Sequence, residues 1–148
     1  MPAEPGSAEP GVDPRGPRFA AAITTVVLAV VLITGWWPLL AAQALVFAIG
    51  AFVGLQVAPY SVLYRTLVAP RLGPTSERED AAPVRFSQGV GFAFALVGTI
   101  GYATGLTTLG VIATAFALFA AFLNAAFDLC LGCQAYLLIR RFVPAPSK

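Results

Sequence analysis

Residues 86–127, FSQGVGFAFALVGTIGYATGLTTLGVIATAFALFAAFLNAAF, contain no Asp, Glu, Lys or Arg, and the stretch from Phe19 to Tyr64 is equally free of them. A bilayer core about 30 Å thick is crossed by about 20 apolar residues, each rising 1.5 Å along a helix. Each stretch is therefore about two spans long. Composition agrees: 58% of the chain is hydrophobic and 11% charged, with a mean hydropathy of +0.81, whereas about a quarter of a soluble domain is charged. The fold class expected is an all-α membrane protein with four transmembrane helices in two hairpins.

Turn chemistry divides the stretches. Gly35-Trp36-Trp37-Pro38 ends the first span, because proline disfavours a helical predecessor and tryptophan suits the headgroup level. Gly105-Leu106-Thr107-Thr108-Leu109-Gly110 supplies the second break. The expected spans are 19–36, 38–57, 86–105 and 109–139. They lie in a membrane domain over 18–142, between a disordered tail over 1–17, too rich in Pro, Gly, Ala and Glu to bury a core, and a short tail over 143–148. The tail over 1–17 lacks the basic start of a signal peptide, so the first helix is expected to be retained.

Cations set the orientation. Arg15 and Arg18 precede the first span, Arg65, Arg71, Arg78 and Arg85 fall in the loop over 58–85, and Arg140, Arg141 and Lys148 follow the last span. In this arrangement all nine share one side, and cytoplasmic loops carry the Lys/Arg excess. Both termini and the central loop of a multi-pass membrane protein are thus expected on the cytoplasmic side. The net charge of +2 is a topology signal, and no basic face with interleaved aromatics supports a nucleic-acid partner.

Within the central loop, Tyr60, Leu63, Tyr64 and Leu67 recur at helical spacing, which suits a short helix on the headgroups. Pro70-Arg71-Leu72-Gly73-Pro74 breaks it before the charged run Glu77-Arg78-Glu79-Asp80, a solvated loop or a docking surface for a soluble partner. A parallel two-fold repeat is legible: Pro17-Arg18-Phe19 opens the first hairpin and Pro83-Val84-Arg85-Phe86 the second, while Pro59, Tyr60 and Arg65 follow one as Cys133, Tyr136 and Arg140 follow the other. Gly50 and Gly54, Gly101 and Gly105, and Ala113, Ala117, Ala121 and Ala125 form small-residue ridges for close helix packing. A second copy of the chain is the alternative partner for those ridges.

The chemistry-bearing residues are few. Asp128 is the only acid or base inside an expected span, and a charge there faces the bundle or water. At 100° per residue on one unbroken helix, Asn124 and Asp128 share a face with Ala117 and Ala121, while Cys130 and Cys133 fall nearly opposite. Only a break near Gly132 would bring acid and thiols together. Cys130 and Cys133 are the only cysteines, in a Cys-Leu-Gly-Cys run. Three readings stand open: a redox or sulfur-carrying pair, inert helix residues, or half of a tetrahedral metal site completed by a dimer. A reducing cytoplasm favours a transient over a permanent disulfide. No quinone or flavin motif is present, and no cofactor is expected.

Arg18-Phe19, Pro59-Tyr60, Pro70-Arg71-Leu72-Gly73-Pro74, Glu79-Asp80 with Pro83, Arg85-Phe86, and Asn124 followed by Cys130-Leu131-Gly132-Cys133 resemble the small bacterial membrane proteins grouped as domain of unknown function 4395. The resemblance spans Asp13 to Arg141 and departs from the family pattern at Asp128, where a small or neutral residue is usual. It implies thiol or sulfur handling with a thioredoxin-like protein or a sulfurtransferase. The expected function is exchange of electrons or sulfur at Cys130 and Cys133. The alternatives are a transporter subunit for a small sulfur species, with Gln43, Asn124 and Asp128 along its path, and a structural subunit with silent cysteines.

Overall fold

The computed structural model describes residues 15–72 and 81–142. Residues 1–14, 143–148 and the Glu77–Asp80 run considered above lie outside the described residues, whereas Arg15, Gly16 and Pro17, assigned above to the disordered tail, form the first turn of a helix. The described chain is helical throughout, without a strand: α1 Arg15–Thr34, α2 Trp37–Ala48, α3 Pro59–Leu63, α4 Ala69–Leu72, α5 Ala81–Ala103, α6 Thr107–Phe127 and α7 Leu131–Phe142. Helices α1, α5 and α6 are long and apolar enough to cross a membrane. α2 continues through a wide π turn to Val53, and this shorter apolar segment runs about 25 Å at 1.5 Å per residue.

Helices α1, α5 and α6, and the continuation of α2, stop where a residue leaves the right-handed region. Gly35 (φ 69°) and Gly105 (φ 89°) close the two turns anticipated from the sequence. Pro38 then sits in the first turn of α2, where its missing N–H costs nothing. Gly54 (φ 154°) and Gly105 were expected as packing glycines, yet both are helix stops with open space where a Cβ would point. Their partners in those pairs do pack. A Cβ on Gly101 would lie 2.7 Å from the Gly110 nitrogen, so α5 and α6 touch backbone to backbone, and a Cβ on Gly50 would meet Gln88 at 2.9 Å.

The core forms where α1, α2, α5 and α6 meet, with Leu28, Val31, Leu40 and Ala95 fully buried and Ala117 from the alanine ridge beside them. Large apolar side chains such as Ile33, Phe52, Phe116 and Phe119 face outward. That inversion of the soluble pattern is what a lipid-facing bundle requires. A helical segment is present where a short helix was expected around Tyr60–Leu67: α3 continues through a π turn at Tyr64–Val68 into α4.

The largest departure concerns the fourth apolar stretch, expected as one helix over 109–139. It is two helices. α6 ends at Phe127, Asp128 adopts the left-handed conformation (φ 58°), and α7 restarts at Leu131. The Asp128 N–H donates to the Asn124 carbonyl at 3.1 Å, satisfying an end carbonyl that the helix alone leaves open. α7 folds back against α5 with an amphipathic pattern that ends in Arg140 and Arg141, as an interfacial helix does.

Candidate functional site

The break at Asp128 changes where every chemistry-bearing residue sits. Asp128 is not inside a helix; it caps the end of α6, and its side chain is 69% exposed. Arg18 of α1 lies 3.8 Å from its carboxylate and donates to the Ala125 carbonyl at 3.0 Å. A cation at a helix C-terminus complements the backbone dipole there. The ion pair itself, exposed on both sides, adds little.

Cys130 immediately precedes α7, and its carbonyl accepts the first helical bond, from the Gln134 N–H at 3.0 Å. It is the N-cap residue of that helix. Its sulfur accepts the backbone N–H of Cys133 at 3.2 Å. The two sulfurs are joined in a disulfide across a Cα separation of 5.2 Å, inside the range this cross-link tolerates. Cys133 is buried with Leu55, Ala81 and Val84, and Cys130 packs at the edge of the same cluster, partly open.

Two residues of the neighbouring chain segments set this geometry. A Cβ on Gly132 would fall 2.6 Å from Ser87 Oγ and 2.7 Å from Ser87 Cα, so only a hydrogen fits and α7 lies directly on α5. The same approach places the Ser87 hydroxyl 3.4 Å from Cys130 Sγ. The tilted Phe86–Tyr136 ring pair, centroids 5.6 Å apart, closes the contact one turn further along α7.

The disulfide forms part of the wall of a cavity of about 1180 Å³ at the end of the bundle where α1 begins, α2 ends, α5 begins and α6 ends. Gln43, Tyr60, Ser87, Asn124 and Asp128 line it together with both cysteines. The expectation that the cysteines face away from Asn124 and Asp128 is therefore corrected: it assumed one continuous helical wheel, and the wheel restarts after Asp128. Gln43, almost fully buried, accepts the Tyr60 hydroxyl at 2.7 Å and sets its amide 3.5 Å from Thr24 Oγ1. This polar link ties α1, α2 and α3 at the cavity floor. Burial raises the Tyr60 phenol above its usual value, so it stays a hydrogen-bond donor at neutral pH.

As metal ligands the pair offers two sulfurs, and among the described residues no group of three or more Cys, His, Asp or Glu gathers. The arrangement is chemically suited to sulfur exchange: two sulfurs in bonding register, one at a helix start, on a cavity wall. Sequence reasoning missed Ser87, because a serine inside an apolar helix gives no signal until the glycine that packs on it is known. It also took Arg18 and Arg85 as topology markers and as the openings of two repeats, without seeing that each caps a helix of the other hairpin. Arg85 donates to the Ala51 carbonyl through Nη2 at 2.8 Å and Nε at 3.2 Å.

Neither the curated proteins nor the solved structures compared with the chain gave a match. A family match covers residues 12–141, nearly the whole length of the membrane domain and its cysteine pair, and the chain therefore belongs to the family described as domain of unknown function DUF4395.

Proposed function

We propose that this is a four-span protein of the bacterial inner membrane whose Cys130–Cys133 pair exchanges electrons or sulfur with a soluble thioredoxin-like protein or sulfurtransferase at the cytoplasmic face. The observation that carries the reading is the pair itself, with its sulfurs bonded at the start of α7 on the wall of the cavity. An inert buried cysteine needs neither a helix start nor a cavity.

Several features support the topology. Arg18 meets the end of α6 and Arg85 the end of α2, so the starts of α1 and α5 and the ends of α2 and α6 share one end of the bundle. The described cations of α1, α3–α4, α5 and α7 belong to these same segments, in keeping with a cytoplasmic side. The segment Trp37–Val53 with the turn Leu55–Val57 is read as the fourth, short span, which a bilayer accommodates by local thinning.

The parallel repeat is supported by reciprocal contacts. Phe19 pairs with Tyr64 at 5.7 Å as Phe86 pairs with Tyr136 at 5.6 Å, and each hairpin's opening arginine caps the other's second helix.

A thiol-trapping experiment tests the function. Cys133→Ser protein, isolated from cells with free thiols blocked, is expected to carry a mixed disulfide to a protein of thioredoxin-like size, identified by mass spectrometry. No mixed disulfide to any thiol protein, with normal membrane levels, would contradict it. The shared cavity of Gln43, Asn124 and Asp128 favours a second reading, passage of a small sulfur species. That reading expects flux of sulfide or thiosulfate in proteoliposomes, lost in Asp128→Ala.

A further inference from the structure

Building on that thiol-exchange reading, we infer that Cys130 is the attacking sulfur and Cys133 the resolving one, and that the Ser87 hydroxyl of α5 is the positioning group that holds Cys130 as a thiolate. The two cysteines do not have equivalent surroundings. Cys130 Sγ accepts the Cys133 N–H at 3.2 Å and lies 3.4 Å from Ser87 Oγ, at the positive end of the 12-residue helix α7. A bonded or ionised sulfur carries no hydrogen, so in that contact the Ser87 hydroxyl is the group able to donate. Donors and a helix N-terminus both favour the anionic form of a sulfur. Cys133 is packed among the apolar side chains of Leu55, Ala81 and Val84, which themselves carry no donor. Exposure points the same way: Cys133 is 9% exposed and buried, whereas Cys130 is partly open on the cavity wall.

Ser87 is placed by design of the backbone, not by a flexible side chain. Gly132 lies so close to α5 that a Cβ would overlap the Ser87 Cα, Cβ and Oγ. The hydroxyl is therefore held at the sulfur from a second helix, independent of the α7 backbone that supplies the other donor.

The exchange balances without any further reagent. The Cys130 thiolate attacks one sulfur of a protein disulfide, and the partner's other sulfur leaves as a thiolate. Cys133 gives up its proton, which ends on a partner thiol, and its sulfur attacks Cys130 in the mixed disulfide. The partner's second sulfur departs, two electrons have passed to the partner, and the Cys130–Cys133 disulfide seen in the structure is the product. In the reverse direction an incoming partner thiolate attacks the more open Cys130, and Cys133 leaves.

The test is the pH profile of alkylation of Cys130 by iodoacetamide, in which the sulfur displaces iodide, read by intact mass on purified, reduced full-length protein carrying Cys133→Ser. Half-maximal rate is expected well below the free-thiol value of about 8.5. Adding Ser87→Ala, which keeps the Cβ against Gly132 and removes only the hydroxyl, is expected to move the midpoint up by about one pH unit, the size of one hydrogen bond to a charged group. The rate at pH 7 should fall several-fold, and Ser87→Thr should restore the low midpoint. An unchanged midpoint in Ser87→Ala, with elution and unfolding temperature like the parent, overturns the role of Ser87 while leaving thiol exchange standing. Faster alkylation at pH 7 of Cys133 in a Cys130→Ser protein overturns the order of attack. A Cys130 that resists alkylation at every pH overturns both this inference and the exchange reading on which it rests.

Discussion

In the first hairpin the second helix stops at Gly54 (φ 154°), a short link follows, and α3 starts with Ala58 as its N-cap and Pro59 in its first turn. In the second hairpin α6 stops at Asp128 (φ 58°), Leu129 links, and α7 starts after Cys130. Ala58 and Cys130 each accept the first helical bond at 3.0 Å, from Val62 and Gln134. Three residues on stand Ser61 and Cys133, and three further on stand Tyr64 and Tyr136, each against the phenylalanine that follows its hairpin's opening arginine. Counting from those arginines, Ala20 occupies the place of Ser87. The contacts that build the two ends are alike, and among the residues that differ between them are Cys130, Cys133 and Ser87, the three that meet at the sulfur, and Gly132, which stands where the first hairpin has Tyr60. The comparison teaches that the fold supplies a pair of helix starts at one end of the bundle, and that chemistry has been placed on one of them.

The sharpest break in this comparison is expected from the cysteines. Cys133→Ser should accumulate a mixed disulfide and Cys130→Ser should not, an all-or-none difference on a non-reducing gel. Equal trapping by both variants would mean that the helix start confers no asymmetry. Next in size is Gly132→Ala. The new methyl would overlap Ser87 and push α7 from α5, costing about 1–3 kcal/mol in thermal unfolding in detergent and loosening the cysteine pair. Gly16→Ala, on the first hairpin, would meet the Tyr64 ring at an ordinary 3.7 Å and should stay within about 0.5 kcal/mol of the parent.

The two capping arginines should differ by less. Arg85 makes two bonds to the Ala51 carbonyl from a half-buried position, and Arg85→Ala is expected to cost about 1.5–3 kcal/mol. Arg18 is more exposed and makes one bond with one distant ion pair, so Arg18→Ala should cost at most about 1 kcal/mol. A reversed order in denaturant unfolding would show that the cap on α6 matters more than its exposure implies. Smallest is Asp128→Asn, within about 0.5 kcal/mol, because asparagine tolerates the left-handed conformation and the carboxylate is mostly in water. Asp128→Val, which does not tolerate it, should cost about 1–2 kcal/mol.

Much of this was legible before the structure. Charge-free stretches located α1, α5 and α6, and Gly35, Pro38 and Gly105 marked their turns, because those residues act on the local backbone alone. The paired Arg-Phe openings pointed to two related hairpins. The split at Asp128 was not legible: apolar residues continue on both sides without a proline, and an aspartate in a span is read as a buried charge sooner than as a helix stop. That one missed break reversed the placing of the cysteines against Asn124 and Asp128. Gly54 was likewise mistaken for a packing residue, since spacing alone does not separate a glycine that admits a neighbour from one that admits a positive φ. Ser87 was silent for a third reason. Its role depends on a contact between α5 and α7, which no local pattern encodes.

The most direct test of the central claim is the redox state of Cys130 and Cys133 in native membranes, read as a gel shift with a large maleimide after rapid acid quenching. Thiol exchange predicts that untreated cells hold a mixture of disulfide and dithiol, that oxidant drives all chains to the unshifted form, and that a reduced thioredoxin-like protein returns them to the doubly shifted form within minutes. Thiols that stay wholly in one state under oxidant and reductant alike, in protein that is folded and membrane-inserted, would contradict it.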